Sequence, residues 1–140
     1  MDVILFLHFV GIIVGLGAVT VIDTMGFFSR KNIEKTQQTI FAHHITKPLI
    51  WIGTIIVLIT WIFILKGNSL EGIYLWKSLL LITMILNGCF LSFIVSPALD
   101  KRIGVLKLLP KELQIKIAIS LVISFISWWG FVWFSVSQIG

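Results

Sequence analysis

The sequence predicts an all-α integral membrane protein, a bundle of four transmembrane helices with the N-terminus and the C-terminus outside. Of its 140 residues, 58% are hydrophobic and only 12% are charged, and the mean hydropathy is +1.06. A soluble domain of this length has too little interior to bury so much apolar surface. Four apolar stretches reach the roughly 20 residues that a spanning helix needs, and basic residues cluster between them.

One domain covering residues 1–140 is expected. The four spanning helices are predicted at about 3–28, 47–66, 73–97 and 115–137. No basic residue precedes the first apolar stretch, so we expect a retained helix rather than a cleaved signal peptide. Residues 33–46 are amphipathic and predict a helical lead-in at the membrane interface. Pro48 leaves two alternatives open, because it either starts the second helix or kinks a continuous one.

Tryptophans are expected near the ends of the spanning helices, where their amphipathic rings favour the membrane interface. Trp51 and Trp61 lie toward the two ends of the second predicted helix. Trp128, Trp129 and Trp133 lie late in the fourth helix and predict an outer interfacial belt.

The basic residues predict the orientation. Nine of the eleven flank the first and third connections, namely Arg30, Lys31, Lys35, Lys47, Lys101, Arg102, Lys107, Lys111 and Lys116. Only Lys66 and Lys77 flank the second connection. Because loops rich in Lys and Arg stay in the cytoplasm, the first and third connections are expected inside and both termini outside. The net charge of +5 is therefore an orientation signal, not a nucleic-acid surface.

The expected location is a cell membrane of bacterial or archaeal type, which the chain crosses several times. The expected partners are the lipid bilayer and, as a further option, a second copy in a homodimer; no nucleic acid is expected. Cys89 is the single cysteine, and thiol–disulfide exchange needs a pair. The sequence has no glycine-rich phosphate loop, nucleophile elbow or HExxH zinc motif. Whether the protein is an enzyme is left open.

An outer layer of candidate site residues holds His8 and Lys77, since ionisable groups inside spanning segments are costly. At 1.5 Å per residue, His8 lies about 8 Å into the first helix and Lys77 about 6 Å into the third. The two residues therefore share a depth and are expected to face a common pocket. Gly11 and Gly15 fall on the His8 face and predict either close helix packing or room for a flat ligand. A snorkelling lysine and a histidine in one interhelical hydrogen bond are the alternatives.

An inner layer of polar residues lies near the cytoplasmic end. Asp23 is about 22 Å below His8 along the first helix, and we predict that it forms an ion pair with Lys47. His43 and His44 are adjacent, so on a helix they point about 100° apart, which is a poor geometry for binding one metal. The roles of His43 and His44 are left open, including a proton relay with Asp23.

Two short motifs resemble a group of bacterial four-helix membrane proteins. Leu7-His8 lies in a first helix rich in small residues, and Trp76-Lys77 opens a third helix rich in leucine. This pattern is similar to the HemJ-type protoporphyrinogen oxidases and to the membrane domains of copper-resistance D proteins. The resemblance implies haem binding, with the first-helix histidine role on His8 and the third-helix lysine role on Lys77. Where the group has Trp-x-x-Gly-Leu after the histidine, this chain has Val14-Gly15-Leu16-Gly17.

The leading functional expectation is a haem- or porphyrin-binding membrane protein with redox activity. The implied cofactor is haem b, with His8 as the ligand of its iron, Lys77 as the partner of an anionic group, and Gly11 and Gly15 beside it. Two histidine ligands within one chain are disfavoured, because the other histidines are predicted on the opposite side of the membrane. A single-histidine haem and a haem shared across a dimer stay open.

Two further functional classes remain. One is a small oligomeric transporter or ion-conducting protein that uses Asp23. The other is a membrane scaffold or accessory subunit, with Gly11, Gly15 and the face of Ser120 and Ser124 as its contacts.

Overall fold

The computed structural model describes residues 2–139, and these form four long helices without a strand. In chain order, the helices are α1 (Asp2–Ser29), α2 (Ile33–Leu65), α3 (Ile73–Asp100) and α4 (Lys111–Ser137). Each is at least 27 residues long and apolar enough to cross a membrane. The prediction of an all-α chain with four helices of spanning length is confirmed.

Local hydrogen bonds explain why the first long helix stops and the second begins. The side chain of Asn32 caps α2 by accepting a hydrogen bond from the backbone N–H of Lys35 at 2.9 Å. The carbonyl oxygen of Ser29 accepts hydrogen bonds from the backbone N–H of Asn32 at 3.0 Å and from the hydroxyl of Thr36 at 2.8 Å. These bonds satisfy backbone N–H and C=O groups that have no partner at the helix ends. The chain turns here, and α2 folds back along α1.

Of the two alternatives at Pro48, the structure has the continuous helix. The proline removes the hydrogen bond that its backbone nitrogen would otherwise donate to the carbonyl of His44. With 33 residues, α2 is roughly 50 Å long. Residues 33–46 are its first turns, and Ile40 among them is 2% exposed in an apolar cluster with α3 and α4.

We call the end where α1 begins, α4 ends and α2 connects to α3 the terminal end, and the opposite end the basic end. At the basic end, Gln37 fixes the α3–α4 connection. Its Nε2 donates to the carbonyls of Arg102 (2.9 Å) and Val105 (3.1 Å), and its Oε1 accepts from the backbone N–H of Gly104 (3.0 Å). Gly104 has a φ of +76°, which favours glycine.

One turn of α3 departs from α-helical geometry. Leu91–Val95 form a π-helical turn between two α-helical parts, Ile73–Phe90 and Ser96–Asp100. Within this turn, the hydroxyl of Ser92 accepts a hydrogen bond from Trp51 Nε1 at 2.8 Å. A π turn widens the helix, and here it lies where α3 offers hydroxyl groups to α2.

Each helix packs against its neighbours in sequence, and α4 closes the bundle against α1. The most extensive contact is between α1 and α2, where Gly11 and Gly15 face Gly53. A Cβ atom on Gly53 would lie 2.5 Å from the backbone nitrogen of Gly15 and 2.7 Å from the carbonyl oxygen of Gly11. On this face the glycines therefore serve close helix packing.

Two tryptophans that were predicted at the membrane interface lie in the core. Trp61 and Trp128 are each 2% exposed and belong to the main apolar cluster. Trp61 Nε1 donates to the hydroxyl of Ser78 at 3.0 Å, which satisfies the polar atom of a buried indole. The interfacial prediction is wrong for these two residues, because both lie on the inward faces of their helices.

Gly53→Ala is expected to lower the thermal stability of the protein in detergent. The new methyl group would meet backbone atoms of α1, which cannot rotate away, and overpacking of this kind costs about 1–3 kcal/mol. Gly17→Ala is the matched control, because a Cβ there would meet nothing within 4 Å. Circular dichroism melts would measure both variants. Equal melting temperatures would contradict the close packing of α1 on α2.

Candidate functional site

The structure brings His8 and Lys77 into direct contact at the terminal end. The distance between His8 Nε2 and Lys77 Nζ is 3.4 Å, and each residue is 1% exposed. A snorkelling lysine would expose its ammonium group, and Lys77 does not. We call these two residues the His8–Lys77 pair.

Thr60 on α2 fixes the orientation of the His8 ring. Thr60 Oγ1 lies 2.8 Å from His8 Nδ1, and the same hydroxyl donates to the carbonyls of Ile56 (2.8 Å) and Val57 (3.0 Å). Because its hydrogen is used there, Thr60 accepts a hydrogen bond from His8 Nδ1–H. His8 Nε2 then keeps its lone pair and accepts a hydrogen bond from the amino group of Lys77.

Aromatic faces and an amide surround the amino group of Lys77. Its Nζ lies 4.2 Å from the ring centre of Trp61 and 4.8 Å from that of Phe131, and it donates to Gln138 Oε1 at 2.9 Å. Within residues 2–139, no carboxylate lies within 4 Å of this nitrogen. Lysine is almost never fully buried without a partner of opposite charge. This burial therefore makes the His8–Lys77 pair a candidate functional site.

The space around the His8 ring is filled by protein. The ring centres of Phe131, Trp61 and Phe9 lie 5.6, 6.1 and 6.2 Å from that of His8. For the glycines beside His8, the sequence predicts either close helix packing or room for a flat ligand. Of these two, the structure has close packing, because α2 covers Gly11 and the ring of Trp128 covers Gly15.

This packing does not fit a haem beside His8 unless the helices move apart. The chemistry of the donor agrees with iron ligation, since Nε2 of a neutral histidine carries a lone pair. However, the amino group of Lys77 lies where this lone pair points, at the place that an iron would take. Elsewhere in residues 2–139, no group of three or more His, Cys, Asp or Glu side chains is placed to hold a metal ion.

A second polar site lies toward the basic end, in a cavity of about 80 Å³ that all four helices line. Most of its walls are Ile, Leu and Val side chains. Its polar lining consists of Asp23, Ser29, Thr36, Thr39, His43 and Ser120. The sequence placed Asp23 and His43 in one layer but did not predict that they share a cavity. We call this site the inner cavity.

His43 and Asp23 are the polar groups of the inner cavity that are available to a ligand. His43 is 8% exposed, yet its buried Nε2 has no hydrogen-bond partner among the described residues. Buried polar atoms are normally hydrogen-bonded, so this nitrogen marks a place for water, a proton or a solute. No basic side chain of residues 2–139 lies within 4 Å of the Asp23 carboxylate. The hydroxyls of Thr36 and Thr39 already donate to helix carbonyls.

The predicted ion pair between Asp23 and Lys47 is not formed. Lys47 Nζ donates instead to the hydroxyl of Ser96 on α3 at 3.3 Å. Its neighbour His44 also turns to α3, where its Nε2 lies 3.2 Å from Asp100 Oδ1. Both side chains of α2 point to α3, whereas Asp23 on α1 lines the inner cavity.

A chain of hydrogen bonds leads from the inner cavity into the core. Ser120 Oγ donates to Asn87 Oδ1 at 2.8 Å, and Asn87 Nδ2 donates to the carbonyl of Ser120 at 3.2 Å and to Ser124 Oγ at 3.1 Å. We call these three residues the Asn87 ladder. Along α3 and α4, the side chains between this ladder and the His8–Lys77 pair are apolar apart from Ser127, whose hydroxyl donates to the carbonyls of Ile123 and Ser124. The apolar ones are Leu81, Met84, Trp128 and Phe131.

Sequence reasoning missed two residues that hold the His8–Lys77 pair in place. Thr60 lies near the terminal end of α2, at the depth of His8, and this shared depth was the available signal. Gln138 lies just beyond α4, where the sequence suggested only the end of a helix.

Comparisons with protein-family models, curated proteins and solved structures found no match to this chain. The resemblance to the HemJ-type and copper-resistance D groups therefore stays a prediction. Function has to be inferred from the His8–Lys77 pair and the inner cavity.

Thr60→Val is expected to change the tautomer of His8, because valine has a similar shape but cannot accept a hydrogen bond from Nδ1–H. Nitrogen-15 NMR of the labelled histidine ring would show protonated Nδ1 in the wild type and a gain of protonated Nε2 in the variant. Thr83→Val is the matched control, since the exposed Thr83 donates to the carbonyl of Leu79 on its own helix. An unchanged His8 spectrum in Thr60→Val would contradict this hydrogen-bond assignment.

Proposed function

We propose that this chain is a multi-pass membrane protein that moves protons or a small protonated solute across the bilayer. The carrying observation is the buried contact of His8 Nε2 with Lys77 Nζ at 3.4 Å, with no described carboxylate within 4 Å of that lysine. Two adjacent cations in an apolar surrounding repel strongly, so the two residues carry at most one positive charge between them. A pair that shares one proton can accept it on one side and release it on the other.

The membrane placement is part of the proposal. Four helices of spanning length support it, and the distribution of Lys and Arg supports a cytoplasmic basic end. The His8–Lys77 pair then lies near the outer face, and the inner cavity lies near the cytoplasmic face of a bacterial or archaeal cell membrane. Each side of the membrane would have its own group of ionisable residues.

The inner cavity supports the same function from the cytoplasmic side. Asp23 and His43 line it. Among the described residues, the Asp23 carboxylate has no basic side chain within 4 Å, and His43 Nε2 has no hydrogen-bond partner. Ionisable residues inside membrane helices commonly mark ion and proton pathways. The Asn87 ladder extends this polar region into the core. The apolar layer above the ladder would prevent passive leakage, so transfer would require water or a side-chain movement in that layer.

Proton flux into liposomes tests this function. With a pH-sensitive dye inside, liposomes that contain the wild-type protein are expected to dissipate an imposed pH gradient faster than empty liposomes. Asp23→Asn and Lys77→Met are each expected to slow this flux by about tenfold or more, because each removes a proton-carrying group from an apolar path.

Two exposed residues give matched controls for the flux measurement. Glu34→Gln removes a carboxylate at the basic end, and Lys66→Gln removes a lysine at the terminal end. Both variants are expected to keep wild-type flux. The proposal would be contradicted if liposomes with the wild-type protein showed no faster proton flux than empty liposomes. It would also be contradicted if the Asp23→Asn variant kept the full flux.

Haem or porphyrin binding at His8 is a second proposal, favoured by one observation. Thr60 holds Nδ1–H, which leaves on Nε2 the lone pair that an iron would take. Lys77 would then leave His8 and pair with a propionate, and the terminal ends of the helices would have to separate. The resemblance to HemJ-type proteins points to the same two residues.

An absorption spectrum tests the haem proposal. Purified protein supplemented with haem is expected to show a Soret band that His8→Ala abolishes and His44→Ala leaves intact, since His44 is exposed at the opposite end. Absence of the band, or a band that survives His8→Ala, would contradict haem ligation by His8.

The scaffold alternative has less support, because its predicted contact residues are used inside the bundle. Gly11 packs against α2, the ring of Trp128 covers Gly15, and Ser120 and Ser124 bond to Asn87. A homodimer would therefore use other surfaces.

A further inference from the structure

A cleft of about 280 Å³ lies between α1 and α4 near the basic end. Its walls are mostly apolar and include Phe27 and Ile115. Two cationic residues, Arg30 and Lys111, also line it. Arg30 follows the end of α1 and Lys111 begins α4, so both lie at the basic end of the cleft. We call this feature the α1–α4 cleft.

We propose that the α1–α4 cleft binds an anionic phospholipid, with the phosphate between Arg30 and Lys111 and part of one acyl chain along the apolar walls. This site requires the membrane placement proposed above but is independent of proton transfer.

The charges at the basic end of the cleft suit a phosphate. Within residues 2–139, neither Arg30 nor Lys111 has a carboxylate within 4 Å. The guanidinium of Arg30 lies 4.3 Å from the ring centre of Phe27, which holds it beside the cleft. The nearest acidic residue in sequence, Glu112, pairs with Lys116 at 3.6 Å. Basic pockets between membrane helices on the cytoplasmic side are typical sites for anionic lipid head groups.

The start of α4 adds a second attraction for an anion. Its capping residue is Pro110, and no side chain caps the helix by a hydrogen bond. The first backbone N–H groups of a helix have no partner within it and carry the positive end of the helix dipole. Lys111 is the first residue of this helix, so its charge and the helix dipole add at this end of the cleft.

The apolar part of the cleft suits an acyl chain. The whole cleft has a volume of about 280 Å³, and its walls are mostly apolar. Gly26 lines the cleft, and a Cβ atom there would meet nothing within 4 Å, so helix packing does not require this glycine. At Gly53, in contrast, the backbone of α1 occupies the place of a side chain. Gly26 therefore leaves the cleft open without contributing to a helix contact.

Native mass spectrometry of the detergent-purified protein tests the site. Phosphatidylglycerol is expected to remain bound as a one-to-one adduct at concentrations about tenfold below those needed for phosphatidylcholine with the same acyl chains, which is about 1.4 kcal/mol. Glycerol 3-phosphate, which has no acyl chain, is expected not to displace the lipid. Arg30→Gln combined with Lys111→Gln should reduce phosphatidylglycerol binding to the phosphatidylcholine level. Gly26→Leu should reduce binding of both lipids by filling the cleft.

Matched controls separate this site from general attraction to the basic end. Lys31→Gln combined with Lys35→Gln removes the same charge at exposed positions, and Gly17→Leu adds the same side chain on an exposed face of α1. Both are expected to bind phosphatidylglycerol as the wild type does. The proposal would be overturned if the wild type bound both lipids equally well, or if glycerol 3-phosphate displaced the lipid. It would also be overturned if the charge control lost as much phosphatidylglycerol binding as the Arg30→Gln and Lys111→Gln variant. The charge variants decide the matter if Gly26→Leu does not fold.

Discussion

The contact of Gly53 on α2 with Gly11 and Gly15 on α1 determines where the other parts of the bundle lie. Without side chains at these positions, the two backbones meet directly. Further toward the terminal end, the same pairing brings Thr60 of α2 to the ring of His8. On the other side of α1, the absent side chain of Gly15 leaves the space that Trp128 of α4 fills. One close approach thus positions a polar contact and a core aromatic residue.

The two polar sites manage burial in different ways. At the terminal end, the amino group of Lys77 is enclosed by aromatic faces and bonded to an amide and an imidazole. At the basic end, Asp23 and His43 line a cavity, and Nε2 of His43 is left without a partner. The first site is filled by protein groups, whereas the second has room for water or a solute. An apolar layer keeps them apart, as a device that transfers protons without leaking would require.

The seam between α1 and α4 is where the bundle leaves space. The inner cavity and the α1–α4 cleft share four lining residues, Ser29, Leu109, Ile117 and Leu121. A lipid chain in the cleft would therefore touch walls of the cavity that holds Asp23 and His43. The lipid site and the proton site, though proposed on separate observations, are neighbours in the structure.

Composition and hydrophobic pattern determined the all-α class and the four long helices, because apolar length and local end signals act over a few neighbouring residues. They also placed His8 and Lys77 at one depth, since depth follows from position along a helix. Only the tertiary structure decided which faces meet. It turned Lys47 to Ser96 rather than to Asp23, buried Trp61, and opened a cavity at His43. These outcomes depend on the rotation of each helix about its axis, which is set by packing between helices and is not encoded in the pattern of any single one.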